Sequence, residues 1–338
     1  LKKEGEQGRK KINQYTRYGT VIIAALQAYG ISAGIEAMSS SAGPAVSDPG
    51  AFFRFQVVVT LVGGTVFLMR LGEQITARGV GNGISLIIFS GIVANLPSAL
   101  VGTLELGRTG ALSTAFIIAL LIMSVGVIFF IVFVERAQRR IIIQYPKRQR
   151  GNKMTGGESS HLPLKINTAG VIPPIFASSL LLLPMTVIGF SAGTGPEWLT
   201  QAAAYLGRGQ PVYLILYISM VVFFAFFYTA VVFNPTDTAD NLKKYGGFVP
   251  GIRPGKNTAE YLDWVLTRLT VVGAAYLAAI VLLPELLISQ YSVPFYFGGT
   301  SLLIVVTVTM DTVAQVQSHL LAHQYEGLIK KSKLRGKR

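Results

Sequence analysis

The 338-residue sequence predicts an all-α polytopic membrane protein. Three observations carry that prediction. Charged residues make up only 14% of the chain, against roughly 25% in a soluble domain. Hydrophobic residues reach 51%, and they gather in runs about 20 residues long, the length of a helix that crosses a bilayer. The runs do not alternate with a period of two over about 10 residues, so membrane β-strands are excluded. There is no cysteine, which removes disulfides, thiolate metal sites and thiol nucleophiles from consideration.

Eight runs qualify as spans. In order they are Tyr18–Ile35, Phe52–Leu71, Gly83–Val101, Ala111–Val134, Ile166–Phe190, Pro211–Phe233, Leu266–Ile288 and Phe297–Leu320. None has the short apolar core and small-residue cleavage site of a signal peptide. Basic residues orient them. Of the 30 Lys and Arg, 27 fall on the side of the N-terminus, and only Arg54, Arg108 and Arg208 fall on the other. The alternation holds along the whole chain, so both termini of this sequence are expected in the cytoplasm. Two segments on the basic side, 135–165 and 234–267, are longer than the 2–8 residues that packed helices need. Long loops confined to one face predict a docking surface.

Enzymatic motifs are missing. Gly251-Ile-Arg-Pro-Gly-Lys256 has neither the spacing nor the preceding strand of a phosphate-binding loop. There is no HExxH and no GxSxG. His319 and His323 share a helical face at i,i+4, and the plain reading is a pair of interfacial histidines. Carboxylates within or beside the spans are few: Asp311, Glu73 next to Arg70, and Glu285. Each reads as an interfacial or partnered acid, which is thin support for ion-coupled transport. No cofactor is expected. Gly79-Val-Gly-Asn-Gly83 opens the third span, and Pro173-Pro174 lie inside the fifth, where they are expected to kink it. Broken helices are tolerated where they line a cavity, so a bundle with an internal path is predicted.

Several strings are more particular than generic membrane sequence. They include Leu71-Gly-Glu-Gln-Ile-Thr76, Gly79-Val-Gly-Asn-Gly-Ile-Ser85, Phe133-Val-Glu-Arg-Ala-Gln-Arg-Arg140, His161-Leu-Pro-Leu-Lys165 and Ala169-Gly-Val-Ile-Pro173. Further on come Phe233-Asn-Pro235, Thr238-Ala-Asp-Asn-Leu-Lys-Lys244, Phe248-Val-Pro-Gly-Ile-Arg-Pro-Gly255 and Val293-Pro-Phe-Tyr-Phe-Gly-Gly-Thr-Ser301. In this order and spacing the chain closely resembles the SecY family of bacterial protein-translocation channels. The resemblance begins just before the family's third span of ten. It implies that the first two spans and the plug between them lie outside this sequence. A fragment is therefore expected, with a natural eight-helix variant as the alternative. The implied organisation is the remainder of an N-terminal half over 1–134, a docking loop over 135–165, a C-terminal half over 166–320 and a basic tail over 321–338.

The resemblance also implies roles. The family moves unfolded preproteins across the membrane and releases hydrophobic segments sideways into lipid. Its narrow point is an apolar ring, matched here by Ile84, Ile88, Ile175 and Ile304. Stiff β-branched side chains suit a gasket that holds back water yet offers a passing chain no hydrogen bonds. The lateral exit is matched by Tyr18–Ile35 against Ile166–Phe190 and Pro211–Phe233, with Gln27 and Asn167 as polar residues that could pair in hydrocarbon. The long loops match the docking sites of the ATPase motor SecA and of the ribosome. They carry Arg136, Arg139, Arg140, Lys147, Arg148 and Arg150, then Lys243, Lys244, Arg253 and Lys256. Pro254 restricts Arg253 to extended conformations, and guanidinium suits ribosomal RNA phosphates. The family also implies SecE and SecG as membrane partners. Two other readings stay open at this stage. A secondary transporter would need convergent polar groups near the proline pair, where only Ser178 and Ser179 stand. A passive ribosome receptor would leave the isoleucines without a use.

Overall fold

The computed structural model describes residues 5–37, 39–40, 43–44, 46, 48–110, 113–146, 148–150, 153–155, 159–190, 201, 205–207, 210–291 and 299–335. The principal helices are α1 (Gly5–Ala37), α2 (Ala51–Arg78), α3 (Gly83–Arg108), α4 (Thr114–Arg136), α5 (Ile172–Phe190), α6 (Pro211–Val232), α7 (Pro235–Lys244), α8 (Lys256–Tyr291) and α9 (Gly299–Arg335). Six short strands accompany them: β1 (Ser39–Ser40), β2 (Gly43–Pro44), β3 (Gln138–Gln144), β4 (Arg148–Arg150), β5 (Lys153–Thr155) and β6 (Ser159–Lys165). Among the described residues, seven helices are long and apolar enough to cross a membrane, and α5 adds a shorter apolar stretch, Ile172–Leu182. The chain divides into two compact units, residues 1–91, 179–213 and 310–338 in one, and 92–178 and 214–309 in the other. Each unit draws on both of the halves expected from the sequence.

Helix boundaries follow local caps more closely than hydropathy. Helix α8 starts at Lys256, a full ten residues before the apolar run expected from Leu266. Helix α7 is capped by Asn234, whose Oδ1 accepts from the Thr236 amide at 3.1 Å, with Pro235 in the first turn. There its missing N–H goes unused. The helix closes on Gly246 (φ +77°), whose left-handed backbone lets the Gly247 amide donate back to the Leu242 carbonyl at 2.8 Å.

The fifth span departs from expectation. It begins at Ile172, not Ile166. Pro173 and Pro174 therefore stand in its first turn, where amides have no intrahelical acceptor and proline is tolerated. They are fully buried, and they do not interrupt the helix. The proline pair therefore opens α5, and the mid-span kink expected of it does not follow.

In the first unit α1 and α2 pack as an antiparallel pair, tied at both ends. At one end Arg17 grips Glu73 through two hydrogen bonds, Nε to Oε1 at 3.0 Å and Nη2 to Oε2 at 2.8 Å. At the other, Arg54 donates to Glu36 at 2.6–2.8 Å and to the Tyr29 hydroxyl at 3.2 Å, while the Gly50 amide donates to Glu36 at 2.9 Å. The apolar middle of each helix lies between these two polar ties.

In the second unit the segment 135–165 forms a hairpin. Strands β3 and β6 pair antiparallel, from Gln138 opposite Lys165 to Gln144 opposite Ser159. Ile141 and Ile143 point inward and Ile142 outward, the alternation of a half-buried strand. Strands β4 and β5 pair beyond it.

Candidate functional site

Two places gather the residues that the sequence singled out. The first is the turn from α2 to α3. Two glycines of Gly79-Val-Gly-Asn-Gly83, Gly81 and Gly83, each have their own reason. Gly81 has φ +90°, a conformation that β-carbons resist, and its amide donates to Gln315 Oε1 at 2.8 Å. At Gly83 a β-carbon would fall 2.0 Å from the Gly72 carbonyl oxygen, so only glycine lets α3 start against α2. The Gly83 amide donates to Thr76 Oγ1 at 2.8 Å. Asn82 caps the new helix, its Oδ1 accepting from Ile84 N at 3.1 Å. This close start lays Ile84 beside Gly72, where a β-carbon would meet Ile84 Cγ1 at 3.0 Å. Ile84 and Ile88 then face, with Ile87, Leu68 and Met69, a cavity of about 810 Å³. Polar residues, among them Asn13, Arg17, Arg70, Glu73 and Asn82, also line it.

The remaining isoleucines belong to the second unit. Ile175 is half-buried, one residue past the proline pair, and Ile304 is packed inside that unit at 5% exposure. The structure thus brings Ile84 and Ile88 together on one cavity wall, and describes Ile175 and Ile304 within a different unit.

Gln27 faces α2 across a smaller cavity of about 300 Å³, with Leu61 and Thr65. Asn167 differs from expectation. It stands in the turn before α5, not within the span, and is buried at 3% exposure. Its Nδ2 donates to Glu135 Oε1 at 2.7 Å and to the Gly170 carbonyl at 3.2 Å, while its Oδ1 accepts from the Gly170 amide at 3.1 Å. Both ends of the amide are engaged within one unit, where the residue holds the turn before α5 against the end of α4. Gly170 (φ +64°) permits the turn. Gly273 of α8 permits its close approach, since a β-carbon there would lie 2.9 Å from the Ile166 carbonyl oxygen.

The second gathering place is a basic module. Ile141 and Leu164 of the hairpin, Val249 of the following loop, and Leu262 and Val265 of α8 form one buried cluster, with Phe233 and Ile252 against it. Phe248 extends the sheet by pairing with Gln144, at 2.9 and 3.0 Å. The two long segments that the sequence separates are therefore one folded body. From it project Arg136, Arg139 and Arg140, Lys243 and Lys244 at the end of α7, and Arg253 and Lys256, all exposed. Arg148 and Arg150 lie on β4, and Lys147 falls outside the described residues. Arg253 sits at the tip between Gly251 (φ +83°) and Gly255 (φ +107°). Ile252 anchors it on one side, and Thr258 Oγ1 donates to its carbonyl at 2.9 Å.

Two structural partners are not legible in the sequence. Glu73 lies 3.3 Å from Arg70, its sequence neighbour, but its main partner is Arg17 of another helix. Glu135 carried no signal beyond its place at the end of a span, yet it is the buried anchor of Asn167.

Long apolar helices, an isoleucine-lined cavity in the first unit and a folded basic module in the second define a polytopic helical membrane protein. The SecY family model matches residues 1–313. The protein translocase subunit SecY of Rickettsia conorii is 55% identical over 335 residues, covering 99% of this chain and 77% of its own length. That of Escherichia coli K12 is 56% identical over 337 residues, covering 99% and 76%. Among solved structures, a protein-conducting channel superposes with TM-score 0.68 at 19% identity, over 92% of this chain and 73% of its own. Canine Sec61 from a ribosome–channel complex gives 0.62 at 18%, over 92% and 73%; both share the fold. The chain belongs to the SecY family, and it spans about three quarters of the length of the curated relatives it matches.

Proposed function

We propose that this chain is the central pore-forming subunit of a translocon in the bacterial cytoplasmic membrane. It conducts unfolded preproteins and releases hydrophobic segments laterally into lipid. The observation that carries the reading is identity of 55–56% to protein translocase subunits along nearly the entire chain. The geometry agrees with it: Ile84 and Ile88 line a cavity, and a constriction of such side chains excludes water without binding a passing polypeptide. The chain itself performs no chemistry in this reading, so energy comes from outside.

The basic module is the receiving surface. An exposed arginine held between two glycine turns offers a planar fork to carboxylates of a motor such as SecA or to ribosomal RNA phosphates. SecE and SecG are the membrane partners the family implies. Excess basic charge keeps this face, and both termini of the sequence, cytoplasmic.

A photo-cross-linkable residue at Ile88 tests the reading. A preprotein stalled in membranes with motor and ATP is expected to cross-link there, and not without motor or ATP. Cross-links confined to the basic module would make the chain a docking surface and would remove the pore assignment.

A further inference from the structure

The exposed stripe of α8 changes character within one turn. Up to Arg268 its exposed positions are polar, charged or aromatic, among them Asp263, Trp264 and Thr267; beyond it they are Val271, Val272 and Ala275. The opposite stripe is packed into the protein, with Leu262, Val265 and Leu277 almost wholly buried. The outer stripe therefore leaves the polar zone and enters hydrocarbon between Arg268 and Val271.

At that boundary the Arg268 guanidinium lies over the Trp264 ring, its Cζ 3.9 Å from the centroid. Trp264 is 50% exposed. The Tyr261 ring is nearly parallel to it, 6.4 Å away. Among the described residues no carboxylate pairs with Arg268. Of the acids on this stretch, Glu260 reaches Lys256 at 3.9 Å. Asp263 points about 140° away from Arg268 around the helix, at about 100° per residue.

We infer that Trp264 and Arg268 form a headgroup site for an anionic phospholipid. Stacking on indole fixes the plane of the guanidinium and covers one face, yet leaves its N–H edges for two parallel bonds to a phosphate. A bilayer interface is where an indole and an arginine head both settle. Val271 and Val272, one turn deeper and more than half exposed, meet the first methylenes of the acyl chain. Charge complementarity selects an anionic lipid, because a zwitterionic headgroup carries its own cation beside the phosphate. The site goes beyond the channel reading and does not depend on what the channel conducts.

The chain has two tryptophans, Trp198 and Trp264. Trp198→Phe leaves Trp264 as the single indole reporter. The purified chain is reconstituted into mixtures of phosphatidylcholine and phosphatidylglycerol in which one lipid carries bromine on its acyl chains, and quenching gives the relative affinity of the two. A preference of about fivefold for phosphatidylglycerol is expected, the worth of one interfacial arginine. It should fall to near one in Arg268→Gln and to an intermediate value in Arg268→Lys, which keeps the charge but not the stacked fork. A ratio near one in the Trp198→Phe chain overturns the site. So does a preference that survives Arg268→Gln, since it would come from general surface charge. If Arg268→Gln does not fold, Arg268→Lys decides: a value equal to that of the parent would reject the stacked pair.

Discussion

At the residue scale, the most exacting position is Gly83. A methyl group there would overlap the Gly72 carbonyl oxygen, and the overlap is with backbone, which cannot rotate away. Gly83→Ala is expected to destabilise the α2–α3 junction by about 1–3 kcal/mol, the usual penalty of overpacking. A lower thermal midpoint in detergent, with Gly91→Ala as a control in open space, checks it. Arg253 has the opposite character. It is exposed, and among the described residues its side chain makes no hydrogen bond or ion pair, so Arg253→Glu should leave stability unchanged. Motor-driven export of a preprotein into vesicles should fall while insertion of a membrane protein stays intact. Normal export would remove the motor-docking assignment.

At the element scale, the start of α5 depends on one polar tie and the α1–α2 pair on two. Asn167 supplies a donor to Glu135, a carboxylate only 7% exposed. Asn167→Ala leaves an acceptor buried with one donor fewer, a loss of about 1–3 kcal/mol. Limited proteolysis should then cut the turn between β6 and α5 sooner; unchanged protection would show that the turn holds without the amide. One of the two ties of the α1–α2 pair is the two-bond Arg–Glu contact from Arg17 to Glu73. Arg17→Glu alone opposes two carboxylates, and so lowers the thermal midpoint. The exchange Arg17→Glu with Glu73→Arg should recover part of the loss. A double variant no better than the single one would mean that the pair is not coupled.

At the scale of the whole molecule, the distribution of basic charge predicts an orientation. The absence of cysteine makes the test direct, because any single introduced cysteine is the only thiol. A cysteine at Arg140 should react with a membrane-impermeant maleimide from the side that bears the termini, and one at Arg108 only from the other. Labelling of both from one side would break the alternation of the spans. The basic module also behaves as one body at this scale. Deleting β4 and β5, beyond the Ile141–Leu164 cluster, should spare expression, whereas Leu262→Asp inside the cluster should abolish it.

What the sequence determined by itself was the membrane class and the family; it also predicts eight apolar runs and their orientation. Those properties rest on summed quantities, apolar length and net basic charge, which do not depend on who touches whom. The Arg253 tip was also legible, because glycine and proline act on their own backbone. Tertiary structure alone decided that Asn167 serves a turn and that Pro173-Pro174 start a helix without bending one. It also decided that Glu73 answers to Arg17 and that two separate loops share a core around Ile141 and Leu262. Each of these depends on a partner distant in sequence or on where a helix begins. Hydropathy is blind to both, because a polar side chain buried against its partner and one facing a gate have the same composition.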